Sequence, residues 1–352
     1  MSTREPAPRR PTMRDVAARV GLSRQLVSIV LRGAPGASDA SRERILAAAH
    51  ELGYHPDDSA RMLRRRRSGQ LGVLFTVRQP FEVDLVDALY RRADEHGFTL
   101  ALGAIGEQRD LETALSGLMR QRIEGLIVLD AGTGGHEITG LPSGLPALLL
   151  GGPTSPDAHD RIDIENERGI SLAVEHLSAL GHTRIAYLGA ASGPNAASRL
   201  AGYQRAMASR GLPGRVVPSD FTELGGHRAA LSLLADGSVR EHNRGGGGTA
   251  DAPGRVTALV CMNDHCAIGA LQTLVRAGVR VPEEVSIVGF DDSSAAALPY
   301  VALTSVRPDP DHLAQLAVET LRARLADPGA PAVRRQVAPT LCTRASTGAM
   351  RT

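Results

Sequence analysis

Residues 12–31 read Thr-Met-Arg-Asp-Val-Ala-Ala-Arg-Val-Gly-Leu-Ser-Arg-Gln-Leu-Val-Ser-Ile-Val-Leu. Thr12 followed by Asp15 forms a capping box, with the acidic side chain in the positive field of a helix N-terminus. Val16, Ala17 and Val20 then fall on one face of a two-turn helix. Gly21 supplies the left-handed residue that stops it, and Ser23 caps a second helix whose apolar face is Val27, Val30 and Leu31. Two short helices around a glycine turn predict a helix-turn-helix. A third helix, capped near Ser38 and carrying Ile45, Leu46, Ala49 and Leu52, closes the core and ends at Gly53.

The second helix exposes Arg24, Gln25 and Ser28 at its N-terminal end, the end that enters the major groove in this motif. An arginine forks onto guanine O6 and N7 and a glutamine onto adenine N6 and N7, each discriminating among bases by about 1–3 kcal/mol. Charge agrees with this placement. Residues 1–70 hold fourteen Arg against seven acidic residues, an excess of seven in a chain whose net charge is +2, so the remainder carries −5. A basic head on an acidic body suits a polyanionic partner at one end only.

Beyond the head a second basic stretch runs from Pro56 to Ser68, in which Asp57, Asp58 or Ser59 can cap a short helix. At two turns it is marginal in water, and docking on DNA beside a partner's copy would order it. The run Arg64–Arg67 reads equally well as a charged linker.

From Leu71 onward short apolar runs alternate with amphipathic segments. Strand-like Leu71–Val77, Gly125–Leu129, Ile185–Leu188, Ala258–Cys261 and Val285–Phe290 are interleaved with helix-like Val83–His96, Leu111–Arg120, Gly169–Ala179, Arg199–Ser209 and His265–Arg276. Such alternation predicts parallel sheets covered by helices on both faces, and roughly 280 residues suffice for two such lobes. Residues 244–254, with four consecutive Gly at 245–248, read as a surface loop.

In folds of this type ligands bind at the carboxyl ends of the strands. Polar residues cluster there: Asn166, Asn263, Asp264, Asp291 and Asp292 follow strand-like runs, and Arg199 opens a helix. Carboxylate, amide and guanidinium groups without a metal-ligand pattern suit recognition of hydroxyl groups.

Several chemistries are disfavoured. All forty cations are Arg, so a P-loop lysine, a Schiff base and a Ser-Lys dyad are excluded. No G-x-S-x-G, H-E-x-x-H or G-x-G-x-x-G after a strand occurs. The three cysteines show no metal-ligand spacing, and no catalytic residue, metal or cofactor is expected. No apolar run approaches the roughly 18 residues of a membrane span, and the Arg- and Pro-rich N-terminus has no apolar export core, so the cytoplasm is the expected compartment.

Met13-Arg-Asp-Val-Ala-Ala-Arg-Val-Gly-Leu-Ser23, Val27-Ser-Ile-Val-Leu31, Ser41-Arg-Glu-Arg-Ile-Leu46 and Leu52-Gly-Tyr-His-Pro56 resemble the head region of the LacI/GalR family of repressors almost position for position. Leu180-Gly-His-Thr-Arg-Ile185, Arg199-Leu-Ala-Gly-Tyr203, Asn263-Asp264, Val281-Pro-Glu-Glu-Val285 and Gly289-Phe-Asp-Asp292 are similar to signatures of the family's core. The resemblance spans essentially the whole chain. It implies an all-α, lambda-repressor-like helix-turn-helix head and an α/β, periplasmic-binding-protein-like core of two doubly wound parallel-sheet lobes. The implied division is an arm at 1–11, a DNA-binding domain at 12–56, a hinge helix at 57–69 and a ligand-binding and dimerisation domain at 70–352. Within it, lobe 1 is expected at about 70–165 and 298–327, and lobe 2 at about 166–297 and 328–352.

By the same resemblance, a homodimer grips palindromic operator DNA through Thr12, Ser23, Arg24, Gln25, Ser28, Ile29, Tyr54, Ser59, Ala60, Leu63 and Arg64, with Leu63 as a wedge in the minor groove. The bound protein would then be associated with the nucleoid. Phe81, Arg199, Asn263, Phe290 and Asp291 are the implied contacts to a small-molecule effector, a sugar or sugar derivative. His176 and His182 match family positions and are read as packing and capping residues. Three departures stand out. Ile29 replaces a polar residue and offers an apolar contact to a thymine methyl, Asp57 replaces an asparagine, and Pro308 replaces a glutamine at the cleft rim. Three alternatives remain: a sugar-binding transport component of the same shape, an enzyme built on the same lobes, and a non-specific DNA binder.

Overall fold

The computed structural model describes residues 11–31, 33–54, 68–77, 80–106, 108–129, 141–142, 144–152, 159–191, 193, 195–239 and 255–350. The expected hinge contacts Ser59, Ala60, Leu63 and Arg64 lie outside these residues, as does the glycine-rich stretch 244–254. The chain divides into two compact units between Ser68 and Gly69.

The first unit is a three-helix head: α1 (Met13–Val20), α2 (Arg24–Leu31) and α3 (Asp39–Glu51). Asp15 accepts hydrogen bonds from the backbone N–H and hydroxyl of Thr12 at 2.6 and 2.7 Å, closing the capping box. Gly21 ends α1 at φ 67°, and the Ser23 and Ser38 hydroxyls cap the next two helices by accepting from the Leu26 and Ser41 amides. Val16, Val20, Val27, Val30, Ile45, Ala48 and Ala49 form its core. Leu46, expected in that core, is 49% exposed; the buried face of α3 runs instead through Ile45, Ala48 and Ala49, which stand at helical spacing.

The second unit holds two six-stranded sheets. Sheet 1 contains β1 (Gln70–Thr76), β2 (Thr99–Ile105), β3 (Gly125–Leu129), β4 (Ala147–Leu150), β5 (Asp160–Ile164) and β11 (Arg334–Val337), in the order β11-β5-β4-β3-β1-β2. Its helices are α4 (Pro80–Glu95), α5 (Leu111–Arg120) and α10 (Pro310–Ala326). Sheet 2 contains β6 (Ile185–Gly189), β7 (Arg215–Pro218), β8 (Ala258–Cys261), β9 (Ser286–Phe290), β10 (Thr304–Arg307) and β12 (Thr340–Cys342), in the order β12-β10-β9-β8-β6-β7. Its helices are α6 (Asn166–Ala179), α7 (Ala196–Ala208), α8 (Glu223–Ala235) and α9 (Asp264–Arg276). All pairings are parallel except β10 with β12. Strands β3, β4, β6, β8 and β9 are buried along their whole length, as strands covered on both faces must be.

The chain passes between the two lobes three times, after β5, after β10 and after β11. This corrects the expected split of the C-terminal third. β10, placed with lobe 1 by the sequence, pairs with β9 in sheet 2 through Thr304 opposite Val288. β11, placed with lobe 2, pairs with β5 in sheet 1 through Arg334 opposite Arg161. An ion pair explains the second placement. Arg324, near the end of α10, forks onto the buried Asp160 at 3.0 and 2.8 Å, and the Val333 amide donates to the same carboxylate, so the segment entering β11 is clamped to β5.

Two glycines set the closest helix contact in lobe 2. A Cβ on Gly226 of α8 would stand 1.9 Å from the Cys266 carbonyl oxygen, and one on Gly269 of α9 would stand 2.0 Å from that of Glu223. Behind sheet 2, His182 lies 3.0 Å from both Thr257 Oγ1 and Ser286 Oγ, and burial lowers its pKa. His176 contacts Thr347 Oγ1 at 2.9 Å.

Candidate functional site

On the head, Ser23, Arg24 and Gln25 are exposed along the first turn of α2, while Val27 and Val30 face inward. The helical register therefore presents the two long polar side chains at the positive end of the helix dipole, where both a base edge and a phosphate would meet them. Ser28 and Ile29 follow half-buried, and Ile29 packs over the loop at Gly36. Thr12 is held by Asp15, and Tyr54 packs against the head core.

In the second unit the carboxyl ends of the two sheets meet at a narrow cleft between the lobes, where ligands bind in folds of this type. Lobe 1 contributes Phe81 and Glu82 from α4 and Leu129 and Leu150 from the ends of β3 and β4; lobe 2 contributes Asn195, Arg199, Phe221 and Asp291.

Arg199 sits in the first turn of α7, almost wholly buried, with its guanidinium carbon 3.7 Å from the centroid of the Phe290 ring. Its Nε donates to Asn166 Oδ1 at 2.9 Å, one terminal nitrogen donates to the Met262 carbonyl, and the other lies 3.3 Å from Asp291 Oδ1. The head group is thus fixed from four directions before any ligand arrives. Asn166 also donates to Asn195 Oδ1 at 3.1 Å, so one amide orients two residues of the lining.

Asp291 is held by backbone as well as by charge. It and Asp292 adopt left-handed φ angles of 108° and 46°, which non-glycine residues sustain only where their surroundings impose them. Asp264, on the first turn of α9, supplies that constraint. Its carboxylate accepts from the Ser293 amide and hydroxyl at 2.7 and 2.8 Å and from Ser305 Oγ at 2.5 Å, and Ser305 Oγ accepts from the Asp292 amide. Burial, followed by the neighbouring Asp291 carboxylate, pushes the Asp264 pKa upward. Burial also raises Asp291, and the Arg199 cation only partly offsets that effect.

Of the expected effector contacts, Phe81, Arg199 and Asp291 meet in the cleft. Phe290 and Asn263 do not line it. Phe290, expected as a wall, is fully buried beneath Arg199, because it is the last residue of a central strand and Gly169 of α6 packs against its ring. Asn263 spends both ends of its amide inside the protein: Oδ1 caps α9 by accepting from the Cys266 amide, and Nδ2 donates to the Phe221 carbonyl at 3.0 Å. It therefore positions Phe221, which the sequence reading passed over. Asn195 was missed as well; it adopts a left-handed φ of 57° immediately before α7, and the Gly193-Pro-Asn195 run is the turn signal that could have found it.

Among the described residues no helix is long and apolar enough to cross a membrane, and no cluster of His, Cys, Asp or Glu is fit to hold a metal.

Residues 12–57 match the family described as bacterial regulatory proteins, lacI family, and residues 174–347 match a periplasmic binding protein-like domain. The ribose operon repressor of Escherichia coli is 31% identical over 343 residues, covering 95% of this chain and 99% of that protein. The transcriptional regulator GalR of the same organism is 32% identical, with 95% of each chain covered. Among solved structures, the lac repressor dimer bound to operator and the anti-inducer ONPF superposes with a TM-score of 0.71 at 27% identity, over 97% of this chain and all of that one.

Proposed function

From the premise that the chain belongs to the lacI family of bacterial regulatory proteins, we propose that it is a cytoplasmic, homodimeric transcriptional repressor whose hold on a palindromic operator is set by a small molecule in the cleft. The observation that carries this reading is the combination of an exposed Arg24–Gln25 pair on α2 with a separate two-lobed unit in which Arg199 and Asp291 face Phe81 across a cleft.

Arg24 and Gln25 read base edges, Ile29 contacts a thymine methyl, and Thr12, Ser23, Ser28 and Tyr54 fix the register of the head on phosphates. Ser59, Ala60, Leu63 and Arg64 form a hinge that folds on DNA, with Leu63 unstacking the central base step. In the cleft, Asp291 accepts from ligand hydroxyls and Arg199 donates to them, while Phe290 and Asn263 hold the groups that make contact. The likeness to the ribose operon repressor favours a sugar or sugar derivative as the effector. The bound molecule shifts the lobes relative to one another, changes the spacing of the two hinges in the dimer and so alters their folding on the operator. Nothing in this scheme calls for turnover of the ligand.

Fluorescence anisotropy on a selected operator duplex and on a scrambled one tests the reading. Leu63→Ala is expected to weaken operator binding far more than scrambled-duplex binding. Equal losses on both would refute the wedge.

A further inference from the structure

Gly69 is the first residue of the second unit, and the chain that reaches it comes from the head. The first residue of a compact unit ordinarily frays unless something ties it down. Gly69 is tied from both sides of β1, which lies between β2 and β3 in sheet 1. On the β2 side its carbonyl accepts from the Thr99 amide at 2.9 Å and from Thr99 Oγ1 at 3.4 Å. On the β3 side its N–H donates to Glu124 Oε1 at 2.8 Å.

Glu124 is half-buried and stands one residue before β3. Its own amide donates to the Gln70 carbonyl at 2.8 Å, so this one residue grips the chain at two successive positions. The backbone bond belongs to the start of the sheet; the carboxylate carries the hold one residue beyond β1, onto the glycine. A glycine has more backbone freedom to lose than any other residue, and Gly69 is held at a left-handed φ of 70°.

A hinge that folds on the operator must also order the residues that join it to β1, and each backbone ordered at that moment weakens the complex. A residue fixed beforehand escapes that loss. On a duplex where the hinge does not fold, its fixation makes no difference.

We propose that Glu124 is a positioning residue for operator recognition: by clamping Gly69 to lobe 1 it keeps the root of the hinge ordered before DNA arrives, and so raises the preference for operator over other DNA. The inference rests on the hinge folding on the operator, as proposed above.

Anisotropy titrations of the full-length protein on the selected operator and on a scrambled duplex test it, with Glu124→Ala and Glu124→Gln each shown by its melting curve to be folded. Glu124→Ala is expected to lower the ratio of operator to scrambled-duplex affinity by about fivefold or more, the loss that one freed backbone entails. Glu124→Gln, whose amide oxygen still accepts from the Gly69 N–H, is expected to stay within about twofold of the wild type. Both variants lack the carboxylate, so the pair separates the clamp from its charge. A ratio unmoved in Glu124→Ala overturns the inference, as does an equal drop in the two variants. Failure of the hinge reading shows elsewhere, as a Leu63→Ala loss of equal size on both duplexes; a Leu63→Ala loss confined to the operator, beside an unmoved Glu124→Ala ratio, sinks the clamp alone.

Discussion

Arg199 lies with its guanidinium carbon 3.7 Å from the ring centroid of Phe290, a residue that itself never reaches the cleft. The stack joins the first turn of α7 to the end of β9, so the position of a binding group is set from beneath by an aromatic floor. A buried cation–π contact of this kind is worth about 2 kcal/mol. Phe290→Leu keeps the volume apolar but removes the ring's quadrupole. Effector affinity measured by calorimetry is expected to fall about tenfold or more, while operator affinity without effector stays within twofold.

The raised pKa of Asp264 carries a pH dependence with a definite sign. A carboxyl that titrates above its ordinary 3.8 in the folded state binds more protons folded than unfolded, so stability declines as pH rises from that value through the raised one. The slope is at most about 1.4 kcal/mol per pH unit for one group. Asp291 contributes with the same sign. Chemical denaturation between pH 4 and 8 should show this decline in the wild type and a flatter profile in Asp264→Asn, whose amide still accepts from the Ser293 N–H. An unchanged profile would mean that Asp264 is ionised throughout the range.

The α8–α9 crossing in lobe 2 tolerates no side chain at its two glycines. Gly226→Ala and Gly269→Ala each drive a methyl onto a backbone carbonyl, and neither carbonyl belongs to a flexible side chain. Each substitution should cost about 1–3 kcal/mol or more, read as a lower urea midpoint. Gly237→Ala, where no atom lies within 4 Å but φ is 75°, isolates the cost of the left-handed backbone alone and should destabilise less.

Much of this architecture is legible in the sequence wherever the determinant is local. Gly21, Ser23 and Ser38 mark helix ends because a cap is made within three or four residues, and β3, β6, β8 and β9 declare themselves as short apolar runs. The sheet membership of β10 and β11 is not legible. Arg334, Arg335 and Gln336 make an edge strand with no apolar signature, and their partner is chosen by the contact of Arg324 with Asp160, 164 residues apart. The cleft follows the same rule. Arg199 and Asp291 stand out as polar groups at strand ends, whereas Leu129, Leu150 and Leu313 read as ordinary core, and it is as the packed core of lobe 1 that they border the cleft. Asn263 and Phe290 lie one layer behind it, a distinction that depends on side-chain direction.

In the head, Gln25 and Arg24 are expected to act separately on specificity. Gln25→Ala should lose about 1–3 kcal/mol on the operator and little on scrambled DNA, because a neutral amide reads bases and does not attract phosphates. Arg24→Ala should weaken both, and also flatten the salt dependence by about one unit of slope if a phosphate contact is lost with the base contact. Anisotropy titrations across a salt series distinguish the two.

The most direct test of the central claim is selection of bound duplexes from a random pool by the full-length protein, followed by affinity measurement on the enriched sequence. The account predicts a two-fold symmetric sequence bound at least a thousandfold more tightly than random DNA, as a specific regulator requires. A pool that stays random after repeated rounds, with every duplex bound alike, would contradict it.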